Sequence, residues 1–95
     1  MTSKKYPRKK VRHTLKLLEQ YADVKFKGLK PFEIRDIKDR VFCIGDEVVY
    51  KVVDEGGRPV NHDLNKLVFE ITFISNFMQR HDYVVYADKL CSVIE

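Results

Sequence analysis

Ninety-five residues, 44% hydrophobic and 34% charged, describe one small globular domain, and a chain of this size buries only about 60–65% of the surface it exposes when unfolded. No apolar run approaches the roughly 20 residues needed to span a bilayer, and the basic start from Met1 to Arg12 leads into no apolar segment or small-residue cleavage site. Neither a membrane span nor a secretory signal is therefore expected, and the protein is expected in the cytoplasm. The net charge of +4 is unevenly spread: residues 1–40 hold 13 Lys and Arg against 5 Asp and Glu, whereas residues 41–95 hold 5 against 9.

Residues 1–11 form a basic arm without apolar periodicity, expected to be flexible. Six of the thirteen cations of the first half fall within the first twelve residues, with no acid among them. That composition suits attraction to phosphates as well as it suits a solubilising tail. Residues 12–95 then make the single domain. Val11, Leu15 and Leu18 fit a helix whereas Leu15-Lys16-Leu17 fits a strand, and the balance favours a strand at about 13–18 followed by a helix at about 19–27. Leu18, Tyr21, Ala22, Val24 and Phe26 supply the apolar positions of that helix, and Gly28 closes it.

The stretch Gly28-Leu29-Lys30-Pro31-Phe32-Glu33-Ile34-Arg35 comes next. Pro31 marks the beginning of a strand because it cannot donate to a ladder. Along that strand Phe32 and Ile34 point one way and Glu33 and Arg35 the other, which lets the heads of Lys30, Glu33 and Arg35 meet. Val41-Phe42-Cys43-Ile44 and the turn dipeptide Gly45-Asp46 feed a β-branched strand, Glu47 to Val53. Asp54 to Lys66, with Gly56-Gly57, Pro59, Asn61 and Asn65, reads as a long polar loop. Leu67 to Ile74 is a strand with Leu67, Phe69, Ile71 and Phe73 on one face and Glu70 on the other. Ser75 to Asp82 is a loop, and Tyr83 to Tyr86 begins the last strand, with Leu90 to Ile94 continuing it or pairing separately. Five to six short strands with one short N-terminal helix are an α+β pattern that closes most economically into a small β-barrel, where sheet edges disappear.

Cys43 and Cys91 each lie in an apolar run and form no C-x-x-C pair, so two reduced, mostly buried thiols are expected. His13, His62 and His81 share no metal-ligand spacing, and no metal or other cofactor is expected. Neither a Ser/His/Asp arrangement nor a phosphate-cradling glycine loop is present.

The spacing Gly28-x-Lys30-x-x-Glu33-x-Arg35 is the G-x-K-x-x-E-x-R signature of ASCH domains, and the chain around it resembles the small phage and bacterial branch known as DUF3850. The resemblance takes in His13-x-Leu15-Lys16-Leu17, Tyr21 and Asp23 upstream, and Asp39-Arg40-x-Phe42-x-x-Gly45-Asp46, Phe69 to Ile74 and Tyr83-Val84-Val85 downstream, over residues 12–87. It implies a PUA-like mixed β-barrel with a short helix beside a cleft, lined by the signature residues, that binds RNA or nucleotides. Some compact members of the superfamily are described as ribonucleases or as amidohydrolases acting on an acetylated cytidine, with the motif lysine as the catalytic candidate. Those enzymes carry a threonine where this chain has Glu33, which favours recognition over hydrolysis here.

Lys30, Glu33, Arg35, Lys16 and Arg40 are thus the candidate nucleic-acid-binding residues. Lys30 suits a phosphate, or a catalytic role if the protein is an enzyme. Glu33 and Arg35 suit an ion pair, a base amino group for the carboxylate and a bidentate phosphate for the guanidinium. Tyr21, Tyr50, Tyr83 and Tyr86 are the available stacking surfaces, and each also suits a barrel core. The expected function is an RNA- or nucleotide-binding module. The alternatives are a small nucleotide-directed hydrolase using Lys30 and, more weakly, a phage accessory protein that binds a host protein.

Overall fold

A computed structural model describes residues 9–30, 32–36, 41–75 and 83–94. The basic arm before Lys9, Pro31, Arg40, His81 and the loop expected at 75–82, apart from Ser75, lie outside the described residues. Strand β1 (Arg12–Leu18) runs without a break into helix α1 (Glu19–Phe26). Leu18 keeps an extended backbone as the residue before the helix and offers no side-chain cap. The other end is better defined: Gly28 adopts φ +77°, Gly28 N–H donates to Lys25 O at 2.9 Å and Leu29 N–H donates to Val24 O at 3.0 Å. That pair of bonds is a Schellman closure, and glycine suits it because a left-handed residue with a Cβ is strained.

Strands β2 (Glu33–Asp36), β3 (Glu47–Val53), β4 (Leu67–Ser75) and β5 (Tyr83–Val93) complete one sheet in the order β1-β3-β4-β5-β2. β1 and β3 are parallel, and every other pair is antiparallel. The sheet curls into a half-barrel whose two outermost strands, β1 and β2, approach each other. Arg35 of β2 spans that gap, with Nη1 donating to the Lys16 carbonyl of β1 at 2.6 Å. Leu17, Phe42, Val48, Val52, Leu64, Ile71 and Val84, with the buried Tyr50 and Tyr86, fill the inside of the curl. No helix among the described residues is long and apolar enough to cross a membrane.

The supposed long loop after β3 is partly ordered by its own backbone. Asp54 N–H donates to Arg58 O, Val60 N–H to Val52 O, and Val53 bridges Pro59. A 3-10 helix, Asp63–Lys66, follows. Its start is fixed by His62, whose Nδ1 accepts from Leu64 N–H at 3.0 Å, which leaves Nε2 to donate to Asp23 Oδ1 of α1 at 2.8 Å. Asn65 ties the segment to β3, accepting from Val52 N–H and donating to Val60 O, both at 2.8 Å.

Three expectations are corrected. The apolar face of α1 does not meet the core: Tyr21, Val24 and Phe26 are exposed, and the helix buries Ala22 and Lys25 instead. Phe73 does not share a face with Ile71, because the β4–β5 register shifts between Ile71 and Phe73. Such an irregularity reverses the in-out alternation, leaving Ile71 fully buried and Phe73 exposed. Cys91 is exposed and Cys43 only half-buried, both as free thiols. Cys91 sits where a second shift, opposite Val68 and Phe69, interrupts the register.

Candidate functional site

The faces of β2 carry an inversion. Phe32 and Ile34 are exposed, whereas Glu33 is 1% exposed and Arg35 half-buried. Pairing explains the direction: Glu33 lies opposite Tyr86 and Arg35 opposite Val84, directly paired residues share a face, and Tyr86 and Val84 belong to the core. A carboxylate and a guanidinium thus enter the curl where a strand of this kind would place apolar side chains.

Three cations converge on the buried carboxylate. Lys30 Nζ donates to Glu33 Oε1 at 2.9 Å, Arg35 Nη2 donates to the same oxygen at 3.1 Å, and Lys25 Nζ lies 3.1 Å from Oε2. The last contact is ionic without hydrogen-bond geometry, so Oε2 has no hydrogen-bond partner among the described residues. Attraction between charges depends mainly on distance and survives this misalignment, whereas a hydrogen bond does not. Burial alone pushes the Glu33 carboxyl up, but Lys25, Lys30 and Arg35 together outweigh it and hold the carboxyl below its ordinary value. Glu33 is therefore ionised around neutrality and serves as the anchor on which the cations are oriented.

Behind this anchor lies a second layer. Lys25 Nζ also donates to Asp88 Oδ1 at 2.8 Å, and it stands 4.8 Å from the ring centres of both Tyr50 and Phe69, a distance at which a cation gains from the ring face. Tyr50 donates its hydroxyl proton to Asp88 Oδ2. Since a phenol has one proton, Tyr86 is the donor in the 2.9 Å bond between the two tyrosine oxygens. Burial pushes both hydroxyls well above the ordinary tyrosine range, and the neighbouring carboxylates add to that, so both remain protonated donors. With Lys25, Lys30 and Arg35 set against Glu33 and Asp88, this cluster keeps one positive charge in excess.

Part of the cluster is reachable. A cleft of about 250 Å³ lies along the gap between β1 and β2, lined by Lys16, Leu18, Tyr21, Lys30, Glu33 and Arg35 among others. The side chains of Lys30 and Arg35 are 24% and 18% exposed, Lys16 is open to solvent, and the Lys30 ammonium lies 5.4 Å from the ring centre of the exposed Tyr21. A different cavity, of about 570 Å³, is rimmed by Glu19, Asp23, Asp54 and Glu55, and its negative charge is unsuited to phosphate.

Four of the five anticipated residues, Lys30, Glu33, Arg35 and Lys16, therefore line one cleft. The fifth, Arg40, lies outside the described residues. Of the four tyrosines, Tyr50 and Tyr86 are core, Tyr83 is exposed, and Tyr21 alone lines this cleft. Sequence reasoning missed Lys25 and Asp88. Glu70, on the other face of β4, pairs across the sheet with Glu47 and Lys89; the second carboxylate of the site is Asp88.

Residues 12–87 match the family model described as "Domain of unknown function (DUF3850)". The chain belongs to the DUF3850 family. No match was found among curated proteins. The DUF3850 region takes in β1 to β4 and β5 as far as Ala87, and so includes Lys16, Lys25, Lys30, Glu33 and Arg35, while Asp88 follows directly after it.

Proposed function

We propose that this DUF3850 protein is a nucleic-acid-binding module of the ASCH type, with a PUA-like barrel, that takes single-stranded RNA or a nucleotide at the gap between β1 and β2. One observation carries the reading. Lys30 and Arg35 are both held on a buried carboxylate while their heads stay partly open to a cleft that Lys16 and Tyr21 also line. Glu33 thus orients two cations without covering them, and orientation before binding lowers the entropy lost when a phosphate arrives. Arg35 supplies a planar fork and Lys30 a point charge, the two usual ways of holding a phosphate. Tyr21 offers an open ring to a base, which every base can use.

The cleft volume falls just below the ~300 Å³ at which pockets for drug-sized ligands begin. It suits one nucleotide unit of a strand rather than a duplex. The basic arm, residues 1–11, adds sequence-independent attraction. A hydrolase built on Lys30 needs Nζ free of its carboxylate, and Nζ donates to Glu33 Oε1.

Fluorescence anisotropy with short single-stranded RNA and DNA at low salt tests the proposal. With Lys30 and Arg35 on one phosphate and Lys16 on a neighbouring one, log Kd changes with log salt by a slope of about 1.4 from the cleft alone, and Lys30→Ala and Arg35→Ala weaken binding of every sequence. Absence of binding at low salt, or binding indifferent to salt, overturns it.

A further inference from the structure

A second cavity opens on the other side of Lys30. It measures about 510 Å³ and lies under the C-terminal end of α1, against the β4–β5 ladder. Phe26, Leu67, Phe69 and Leu90 give it apolar walls, and Lys25 and Asp88 give it a buried polar lining. Lys30 lines both this cavity and the cleft at the gap. Its volume falls within the ~300–1,000 Å³ of ligand pockets.

The polar groups in its wall are not used up by their mutual contacts. Asp88 accepts from Lys25 and from Tyr50, which fills about two of a carboxylate's roughly four acceptor positions. Glu33 Oε2 is buried, has no hydrogen-bond partner among the described residues and faces Lys25, whereas Oε1 serves Lys30 and Arg35 at the gap. A buried acceptor that holds an ion pair but no hydrogen bond calls for an explanation. Glu33 lines the cleft alone, but its Oε2 faces the Lys25 ammonium, and that ammonium lines the inner cavity beside the Asp88 carboxylate. An ammonium donor next to a carboxylate acceptor complements the edge of a nucleobase, where acceptor and donor also lie side by side.

We propose that the inner cavity takes the base of a nucleotide whose phosphate is held at the gap by Lys30 and Arg35, an inference that rests on the nucleic-acid reading of that cleft. The ring enters between Phe26 and Leu90, both about half-exposed at the rim, and its polar edge meets Lys25 and Asp88. Lys30 is the hinge between the two parts of the ligand.

Calorimetric titration of the full chain with inorganic phosphate, ribose 5-phosphate and the four nucleoside 5′-monophosphates separates the parts. The nucleotides should bind about 10-fold or more tightly than ribose 5-phosphate. Phe26→Ala, which removes a stacking surface, and Leu90→Trp, which fills the cavity, should each bring that ratio close to one. Both replace half-exposed side chains, and a thermal melt checks each for folding; if one fails to fold, the other decides. Equal affinity for nucleotides and ribose 5-phosphate overturns the inner pocket, as does a ratio that survives both substitutions. Phosphate that binds without any gain from a base removes only this inference. Phosphate, ribose 5-phosphate and nucleotides that all fail to bind remove the reading of the cleft as well.

Discussion

Replacing Glu33 by glutamine removes one charge at nearly constant volume from the most buried carboxylate of the site. Three cations lose their shared partner at once: Lys30 at 2.9 Å, Arg35 at 3.1 Å and Lys25 at 3.1 Å. Lys30 and Arg35 recover part of the loss by hydrating, since their heads reach the cleft. Lys25 is 4% exposed and keeps the Asp88 carboxylate and the faces of Tyr50 and Phe69. Breaking a buried pair by removing one partner costs about 3–5 kcal/mol, and the hydration of two of the three cations points to the lower end, about 3 kcal/mol. For a domain of this size each kcal/mol moves Tm by roughly 4–8 °C, so Glu33→Gln should lower Tm by roughly 12–24 °C at neutral pH. The carboxyl is held below its ordinary value in the fold, so its stabilisation is complete above the unfolded pKa and is lost as pH falls through the lower, folded one. The parent should therefore lose stability on acidification more steeply than the variant, and the two melting curves should converge at low pH. Circular dichroism melts of both proteins from neutral to acid pH decide the matter. A variant that melts within about 2 °C of the parent at neutral pH, well inside the shift expected for 1 kcal/mol, refutes the anchoring role of Glu33.

Arg35→Lys keeps the charge but cannot reach both Glu33 Oε1 and the Lys16 carbonyl as a fork does; amide exchange along β1 should quicken and RNA affinity fall, and unchanged exchange refutes the clasp across the gap. Gly28→Ala meets no atom within 4 Å, so its cost is the strain of φ +77° alone, about 1–2 kcal/mol, read as a lower denaturant midpoint with unchanged slope. His62→Ala removes the acceptor for Leu64 N–H and the tie to Asp23, and should cost about 1 kcal/mol; an unchanged midpoint counts against it. Tyr50 and Tyr86 keep their protons in the fold, so a spectrophotometric titration should show neither ionising near pH 10. Their contribution is present below the unfolded tyrosine pKa and is lost as pH rises past it, and ionisation of both near pH 10 in a still-folded protein contradicts their placement.

The order of elements could be read along the chain because local signals were strong where the chain changes direction. Gly28 ends α1 where the glycine predicts, and the strand starting after Pro31 places Glu33 and Arg35 on one face by alternation alone. That Lys30 joins them follows from a turn residue meeting the start of that strand. Lys25 and Asp88 were harder to see. Lys25 lies on the face of α1 shared with Ala22, three residues before it, but the exposed Tyr21, Val24 and Phe26 look more like a core stripe than Ala22 and a lysine do. Asp88 continues the inward series Val84, Tyr86, Asp88 of β5, and with the link between Tyr86 and Leu90 left open in the sequence that continuation stayed hidden. Both residues trade apolar burial for charge pairing, and hydrophobic pattern is blind to that exchange. The inward turn of β4 failed at Phe73 for another reason: an irregularity in register leaves no trace in composition.

The ladder of β2 bears on when this site comes into being. Glu33 is paired with Tyr86 and Arg35 with Val84, so a motif contained within eight consecutive residues finds its hydrogen-bonding partner only in the last strand of the chain. β1 in turn waits for β3, with Lys16 beside Lys51. Contacts so distant along the chain form late, because the entropy of closing such loops is lost before the pairing repays it. During synthesis the three cations of the site would stay unassembled until β5 has left the ribosome. A growing or truncated chain that lacks β5 would then carry the whole signature without the proposed phosphate grip, and binding would report that β5 has paired with β2.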